Sequence, residues 1–370
     1  MIYFLSEVTG VINEKRIAYQ NTTFRTDQIR IPQEHEKTDA GPKRLRRSYI
    51  PEDHDIEPYM KKPRITSFVF QNREANIPRE WESFVKTDLI WSFSCTFLSN
   101  CPMWVGWNSL FVEDLLPVQI VGCMETINLP PTRNDVVQET MKRTQAVAKE
   151  CGQDQIIVTY DLAIAKIASQ IQYSESPRFD NIFVCFRAFH ISMAYFAVLG
   201  YVIENSGGDS ILVDSDVLAG GSMNSFLAGK HYNRCKRIHP MLALAFRILH
   251  IRQFLETSNQ STDELEKKLQ DVLNKPGASR KILLAEMVES SPIIQDYLDF
   301  EQSTRNGNHG STAAFWMMYI DLVDLYLMFS RASRTNNLQV FIYSLRQMIP
   351  LFFAGSRPHY ARWMVRYFLI

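Results

Sequence analysis

The sequence lacks several of the features that would assign it directly to a protein class. Its 370 residues include six cysteines, but no two of them form a C-x-x-C pair, so the most recognisable zinc and redox motifs are absent. The 40 basic and 40 acidic side chains cancel, and net charge therefore predicts no partner. We interpret the cysteines as reduced thiols of an intracellular protein, most of them buried.

Long apolar runs without charge are also missing. The run over residues 189–203 is shorter than the ~20 residues that a transmembrane helix needs. A longer stretch over residues 313–329 contains Asp321 and Asp324, which are costly in lipid. Glu7 interrupts the apolar start of the chain, so we expect no signal peptide. The sequence thus predicts a soluble protein without a membrane partner.

Hydrophobic periodicity is poor in residues 1–64, where about a third of the side chains carry charge. This composition predicts a flexible charged arm. The arm contains two basic clusters, residues 43–47 and 61–64, which suit a nuclear import receptor or phosphate groups. An ordinary solvated linker explains them equally well. A nuclear location is therefore one alternative within the cell.

The order of predicted elements changes after residue 64. The patterns predict a helix over residues 81–95 and a hairpin of strands over 103–112 and 117–124. A helix, a strand over 155–160, a helix, a strand over 181–186 and a helix follow. Buried strands joined by helices indicate a mainly parallel sheet. We expect an α/β domain over residues 65–210 and a helical region over 211–370 that packs on it.

Asp161 is the sharpest candidate for chemistry. It follows one predicted strand and precedes a helix, so its carboxylate should lie at the carboxyl edge of the sheet, where open α/β sheets bind ligands. A carboxylate at this edge could bind Mg²⁺, which favours oxygen ligands. The alternative is a structural role as the N-cap of the helix that follows.

The segment around Asp161 supports the first alternative by resemblance. Residues 159–168, residues 182–186 and the run Phe189-His190-Ile191 resemble the middle of Mutator-like transposases. The resemblance implies an RNase H-like core, a mixed sheet with flanking helices, and a catalytic set of three acidic residues that binds Mg²⁺. It makes Asp161 the second acidic residue and metal ligand, and His190 the histidine that opens the following helix.

A wider resemblance concerns ancestry. The runs over residues 103–109, 128–133, 229–237, 304–310 and 360–363 resemble a multicopy family of uncharacterised animal proteins of apparent transposon origin. This resemblance covers most of residues 60–370. It implies a transposon-derived protein without assigning an activity.

The catalytic set expected from the first resemblance is incomplete. Two metal ions about 3.5–4 Å apart need several carboxylates, but Asn108 occupies the centre of the predicted opening strand, and no acid precedes Glu113 there. The chain ends at Ile370, before the helix in which the third acid is expected. We therefore predict a degenerate, non-catalytic core that binds nucleic acid. An active Mg²⁺-dependent transposase or nuclease fragment and a helical protein-interaction module remain alternatives.

A second metal hypothesis concerns zinc. His231, Cys235 and His239 recur at helical spacing, and zinc binds cysteine and histidine side chains. No fourth ligand is evident in the sequence, and one face of a helix explains the spacing equally well.

The distribution of charge gives an independent indication. Residues 217–255 and 326–370 contain no acidic residue, whereas residues 256–301 are rich in them. Basic stretches interleaved with aromatic residues suit a phosphate backbone, so we expect DNA as a partner. The alternative is that these bases pair with the acidic segment or lie at helix C-termini. The candidate contact residues are Lys230, Arg234, Lys236, Arg237, Arg362 and Arg366.

Overall fold

The computed structural model describes residues 77–111, 121–258 and 260–367, apart from the side chains of residues 277, 278, 366 and 367. The predicted arm over residues 1–64 lies outside these residues. In chain order the elements are α1 (Arg79–Phe97), α2 (Trp104–Ser109), α3 (Asn134–Glu150), β1 (Ile156–Tyr160), α4 (Leu162–Ser174), β2 (Ile182–Phe186), α5 (Ala188–Ile203), α6 (Gly208–Asp214), α7 (Met223–Leu227), α8 (Tyr232–Ser258), α9 (Asp263–Asn274), α10 (Gly277–Ser290), α11 (Pro292–Arg305), α12 (Ser311–Arg334), α13 (Leu338–Ala354) and α14 (Pro358–Tyr367).

The chain divides into two compact units, and the first contains residues 121–187 of the described part. Its strands β1 and β2 are parallel and pair in register from Ile156 opposite Ile182 onwards. Helices α3 and α4 pack on each other and on the strands. The side chain of Gln172 donates hydrogen bonds to the carbonyl oxygens of Phe179 and Ile182 at 3.0 and 2.7 Å. These bonds fix α4 against the start of β2.

The second unit contains α1, α2 and α5–α14. Helix α12 is central, because it packs against α5, α8, α11 and α13. By length and composition α12 is apolar enough to cross a membrane, although 44% of its apolar stretch is buried inside the protein. Its two acidic residues form ion pairs: Asp321 with Arg305 at 2.8 Å, and Asp324 with Arg247 at 2.5 Å. These pairs explain how a largely apolar core helix carries two carboxylates.

Helix α5 packs closely against neighbouring segments because glycine residues lie at two of its contacts. A Cβ atom at Gly200 would lie 2.0 Å from the carbonyl oxygen of Leu227, the last residue of α7. A Cβ atom at Gly355, directly after α13, would lie 2.7 Å from a methyl carbon of Val198. The backbones therefore approach more closely at these two points than any larger residue permits.

The prediction of an RNase H-like mixed sheet is wrong. Among the described residues the sheet has two strands only, and most of these residues are helical. Residues 104–109, expected in a strand, form the helix α2. Trp104 and Trp107 lie three positions apart and are both buried, which is helical and not strand periodicity. Residues 121–124 of the second predicted strand have no strand structure, and residues 117–120 lie outside the described part.

The long helix α8 extends well to the N-terminal side of a proline that it contains. The helix begins at Tyr232, and Pro240 lies inside it. Buried side chains on both sides of the proline, including Cys235 and Leu242, anchor the two halves. Packing therefore compensates for the missing backbone N–H. One consequence is that the basic residues 234, 236 and 237 lie on this helix.

Candidate anion-binding pocket

The two residues predicted to be catalytic lie in different units. In the first unit, Asp161 precedes α4, and its Oδ1 accepts a hydrogen bond from the backbone N–H of Ile164 at 2.9 Å. This is the contact of an N-cap residue. In the second unit, His190 lies half-buried in the first turn of α5, with its ring 5.3 Å from that of Phe189. Of the two roles considered for Asp161, metal ligand and helix cap, the helix cap is the one that an observed hydrogen bond supports.

A metal site around Asp161 has no further support in the described residues, where no three histidine, cysteine or acidic side chains gather to bind an ion. Asn108, expected on the neighbouring strand, lies on α2 instead. Its Nδ2 donates to the carbonyl oxygen of Trp104, and its Oδ1 accepts from Nε of Arg331, both at 2.7 Å. Both ends of this amide are therefore used within the fold. Mg²⁺ binding by Asp161 stays a prediction.

The three residues of the zinc hypothesis lie in different environments. His231 is exposed, whereas Cys235 and His239 are buried on α8. The His239 ring stacks on those of Phe196 and Phe226, at centroid distances of 5.8 and 4.7 Å. Burial lowers the pKa of His239 to about 3, so its imidazole is neutral near pH 7. The ring belongs to the aromatic core of the second unit.

The predicted nucleic-acid contacts cluster at the start of α8. Lys230, Arg234 and Arg237 are exposed there, and Lys236 is half-buried. Arg234 donates a hydrogen bond to Ser222 Oγ at 2.6 Å. Within the described residues, none of these four side chains has a carboxylate at ion-pair distance. Of the two candidates on α14, Arg362 is exposed, and the Arg366 side chain lies outside the description.

One of these residues, Lys236, lines a pocket of about 240 Å³ that three helices of the second unit form. The first turns of α5 contribute Phe189 and Ser192, and the start of α8 contributes Tyr232 and Lys236. The last turns of α12 contribute a set of residues at helical spacing. These are Tyr326, Phe329, Ser330, Ser333 and Arg334.

The pocket contains two cations and no carboxylate. Lys236 and Arg334 line it, and none of its lining residues is acidic. The pKa of Lys236 is lowered first by burial and second by the positive charge of Arg334. The first turns of α5 and α8 bring positive helix ends to the pocket, and the last turn of α12 brings a negative one. An anion placed here would relieve the repulsion between the two cations.

Aromatic rings and hydroxyl groups complete the walls. The ring of Tyr232 lies 4.5 Å from Phe189, and Nζ of Lys236 lies 5.7 Å from its centroid. Burial raises the pKa of the Tyr232 hydroxyl. The phenol therefore stays protonated at neutral pH and available as a donor. Together these groups would suit an anion that is attached to a flat or apolar group.

The sequence did not indicate that Arg334 lies beside Lys236 in the same pocket. Both lie in the stretches without acidic residues, so the charge distribution carried a signal for each of them. The signal did not show that the end of α12 and the start of α8 meet, because that contact depends on how the helices pack. Tyr232 is one of the aromatic residues interleaved with the basic stretches, whereas Tyr326 and the serine residues of the pocket had no sequence signal of their own.

Comparisons with curated proteins and with solved structures give no match. A family model described as "Domain of unknown function (DUF8702)" matches residues 103–369. The matched region is more than half of the chain and includes every residue that lines the pocket. The chain therefore belongs to the DUF8702 family.

Proposed function

We propose that this protein binds single-stranded nucleic acid and holds one backbone phosphate between Lys236 and Arg334. The observation that carries the proposal is the pair of cations in a pocket without carboxylates. Lys236 is half-buried and Arg334 is exposed beside it, so the cost of removing an unpaired charge from water falls on Lys236. An external anion would supply the missing partner in this pocket.

The surroundings of the pocket favour a polymer over a small anion. Lys230, Arg234 and Arg237 are exposed around the start of α8, outside the pocket itself. A single phosphate held by Lys236 and Arg334 would not contact them, whereas the neighbouring phosphates of a strand would. Several basic side chains along a backbone are the usual source of affinity for nucleic acid.

The shape of the pocket favours a single strand over a duplex. A cavity of about 240 Å³ has room for one nucleotide-sized group. The exposed ring of Phe189 and the neighbouring ring of Tyr232 offer faces on which a base can stack. Such stacking contributes about 1–3 kcal/mol for each base and does not depend on sequence. Bases are available for it only where they are not stacked within a helix.

The proposal concerns binding and includes no cleavage step. Asp161 caps α4, and Asn108 is bonded within the fold, so the observed contacts supply no paired carboxylates for metal-dependent chemistry. The transposon ancestry suggested by the sequence is a separate prediction, and DNA binding by a non-catalytic relative of transposases would agree with it.

Fluorescence anisotropy with a labelled oligothymidylate tests the proposal. Lys236→Gln, Arg334→Gln and the double variant are compared with Arg252→Gln, which removes an exposed charge elsewhere on α8. We expect each pocket substitution to cost roughly 1 kcal/mol, so the double variant binds about thirtyfold more weakly. The slope of log K against log salt concentration should fall in magnitude by about 0.7, because the double variant loses one phosphate contact. Arg252→Gln should bind like the wild type.

Three results would contradict the proposal. Unchanged affinity of the double variant would remove the pocket as the phosphate site. Tighter binding of duplex DNA than of the oligothymidylate would contradict the preference for single strands. Competition by a free mononucleotide at the same concentration as the oligonucleotide would indicate a small-molecule site. Thermal melting of each variant shows whether the fold is retained.

A further inference from the structure

Two cysteines lie side by side at the junction between α1 and α2, far along the chain from the pocket residues. The Sγ atoms of Cys95 and Cys101 are 3.4 Å apart, and both side chains are half-buried. Cys95 belongs to the last turns of α1, and Cys101 lies in the short link before α2. The two thiols are thus in contact and partly accessible to solvent.

The link that carries Cys101 is fixed at both ends. The backbone N–H of Leu98 donates to the carbonyl oxygen of Ser94 at 2.8 Å, which ends α1. The indole N–H of Trp91 donates to the carbonyl oxygen of Pro102 at 3.0 Å. These bonds keep the sulfur atoms close without a covalent bond. A disulfide needs a separation of about 2.05 Å, so the sulfurs must approach by little more than an ångström.

The two thiols are not equivalent. The hydrogen bond between them lowers the pKa of Cys101 and raises the pKa of Cys95, and burial raises the latter further. Cys95 is therefore the hydrogen-bond donor, and Cys101 is the sulfur that ionises more readily. A thiolate is the reactive form of cysteine, so Cys101 should react first with an oxidant.

We infer that Cys95 and Cys101 are a peroxide-sensitive dithiol that closes to an intramolecular disulfide. The Cys101 thiolate attacks hydrogen peroxide, the O–O bond breaks, and the sulfur becomes a sulfenic acid as hydroxide leaves. The sulfur of Cys95 then attacks the sulfur of Cys101, the S–OH bond breaks, and the thiol proton and hydroxide leave as water. Two electrons pass from the thiols to peroxide. The hydroxide takes up the proton that Cys101 lost on ionisation, so two water molecules form in total.

The inference is independent of nucleic-acid binding. Closing the bond would tie the end of α1 to the segment leading into α2, where Trp104 and Asn108 contact Asp88 and Arg331. Oxidation would therefore lock the junction between α1 and α2. The expected product is a stable, reversible modification at a site outside the pocket.

Peptide mapping after treatment with hydrogen peroxide tests the inference. Chymotryptic cleavage after Phe97 or Leu98 separates Cys95 from Cys101, so a disulfide appears as two linked peptides that a reductant separates. In the wild type we expect this linked pair, with a loss of the mass of two hydrogen atoms. Cys123→Ser, which replaces an exposed cysteine, should give the same pair and is the matched control.

The single variants test the order of reaction. Cys95→Ser should leave a sulfenic acid at Cys101 that a dimedone-type reagent traps, because its partner is missing. Cys101→Ser should give at least tenfold less trapped product at Cys95. Absence of the linked pair from oxidised wild-type protein would overturn the inference. Equal trapping in both single variants would overturn the assignment of Cys101 as the nucleophile. Circular dichroism confirms that each variant is folded.

Discussion

Replacement of Asp88 by asparagine should destabilise the second unit more than any conservative change on its surface. Asp88 forms an ion pair with Arg331, and the two residues are 6% and 3% exposed. The guanidinium also donates to Asn108 Oδ1 and lies over the rings of Phe84 and Trp104, 4.8 and 5.2 Å from their centroids. The substitution removes the only charged partner that the described residues give this buried cation.

The expected loss of stability follows from the burial of the ion pair between Asp88 and Arg331. Removal of one member of a buried ion pair typically costs about 3–5 kcal/mol, because the other charge remains buried without a partner. Asparagine has nearly the shape of aspartate and keeps an oxygen for the indole N–H of Trp104, which now donates to Asp88 Oδ1 at 3.0 Å. We therefore expect about 3 kcal/mol for Asp88→Asn. Arg331→Met in the same background should recover part of this loss, since it removes the unpaired charge.

Urea unfolding followed by tryptophan fluorescence measures the effect. All six tryptophans belong to the second unit, so the signal reports on that unit alone. Asp214→Asn, at an exposed position of α6, is the control and should be neutral. The double-mutant cycle should give a coupling energy of about 2 kcal/mol. Additive single substitutions, or a cost below about 1 kcal/mol for Asp88→Asn, would refute the reasoning.

Three other predictions concern local structure. Asp161→Ala should cost about 1 kcal/mol through loss of the α4 cap, whereas Asp161→Asn should be nearly neutral; circular dichroism melts measure both, and equal losses would argue against capping. Gly200→Ala should lower stability by about 3 kcal/mol, because its Cβ atom would overlap a backbone oxygen, and Gly221→Ala, with open space around it, should melt like the wild type. His239 binds its proton in the unfolded state first, since its folded pKa is about 3. Its contribution is therefore complete above about pH 6.5 and falls by about 1.4 kcal/mol for each pH unit between that value and about pH 3. Unfolding at several pH values should show a shallower acid loss in His239→Phe, and parallel curves would contradict the assignment.

Much of the secondary structure was predictable from the sequence. The strands over residues 155–160 and 181–186 and the helices around them appear within a few residues of their predicted bounds. These segments are strongly periodic or continuously apolar, and they are bounded by Gly152 and other turn residues. In such segments the conformational preference of the residues and the burial of their apolar side chains favour the same element. The sequence pattern alone was therefore sufficient to predict that element.

The fold class was not predictable from the same patterns. The error began at residues 103–112, where aromatic and β-branched residues favoured a strand. Trp104 and Trp107 instead bury the same face of α2, where their indole N–H groups bond to Asp88 and to the carbonyl oxygen of Thr87. These partners are provided by α1, which the local pattern does not include. Without the hairpin, the two remaining strands lack the neighbours of an RNase H-like sheet.

Charge distribution was the most informative sequence feature for the site, but it does not separate structural from functional cations. Arg247 lies in a stretch without acidic residues and is nevertheless paired with Asp324 on α12. That carboxyl has a pKa raised to about 7 by removal from water, partly opposed by Arg247, although a third of its side chain remains exposed. Solvent therefore moderates this effect. Only the structure shows that Arg247 is satisfied within the fold while Lys236 is not.

The contrast between these cations is the strongest argument that the pocket binds a ligand. Where Arg247 and Arg331 are buried, the fold provides each with a carboxylate from another helix. At the pocket the same fold brings Lys236 beside Arg334 and provides no carboxylate in the lining, at the cost of a lowered lysine pKa. The last turn of α12 gives a structural reason for the cation at Arg334, but stability alone gives no reason for Lys236 at the start of α8, since a neutral residue there would remove the repulsion. An anion that binds the folded protein does give such a reason, because its binding energy offsets the repulsion and stabilises the native state.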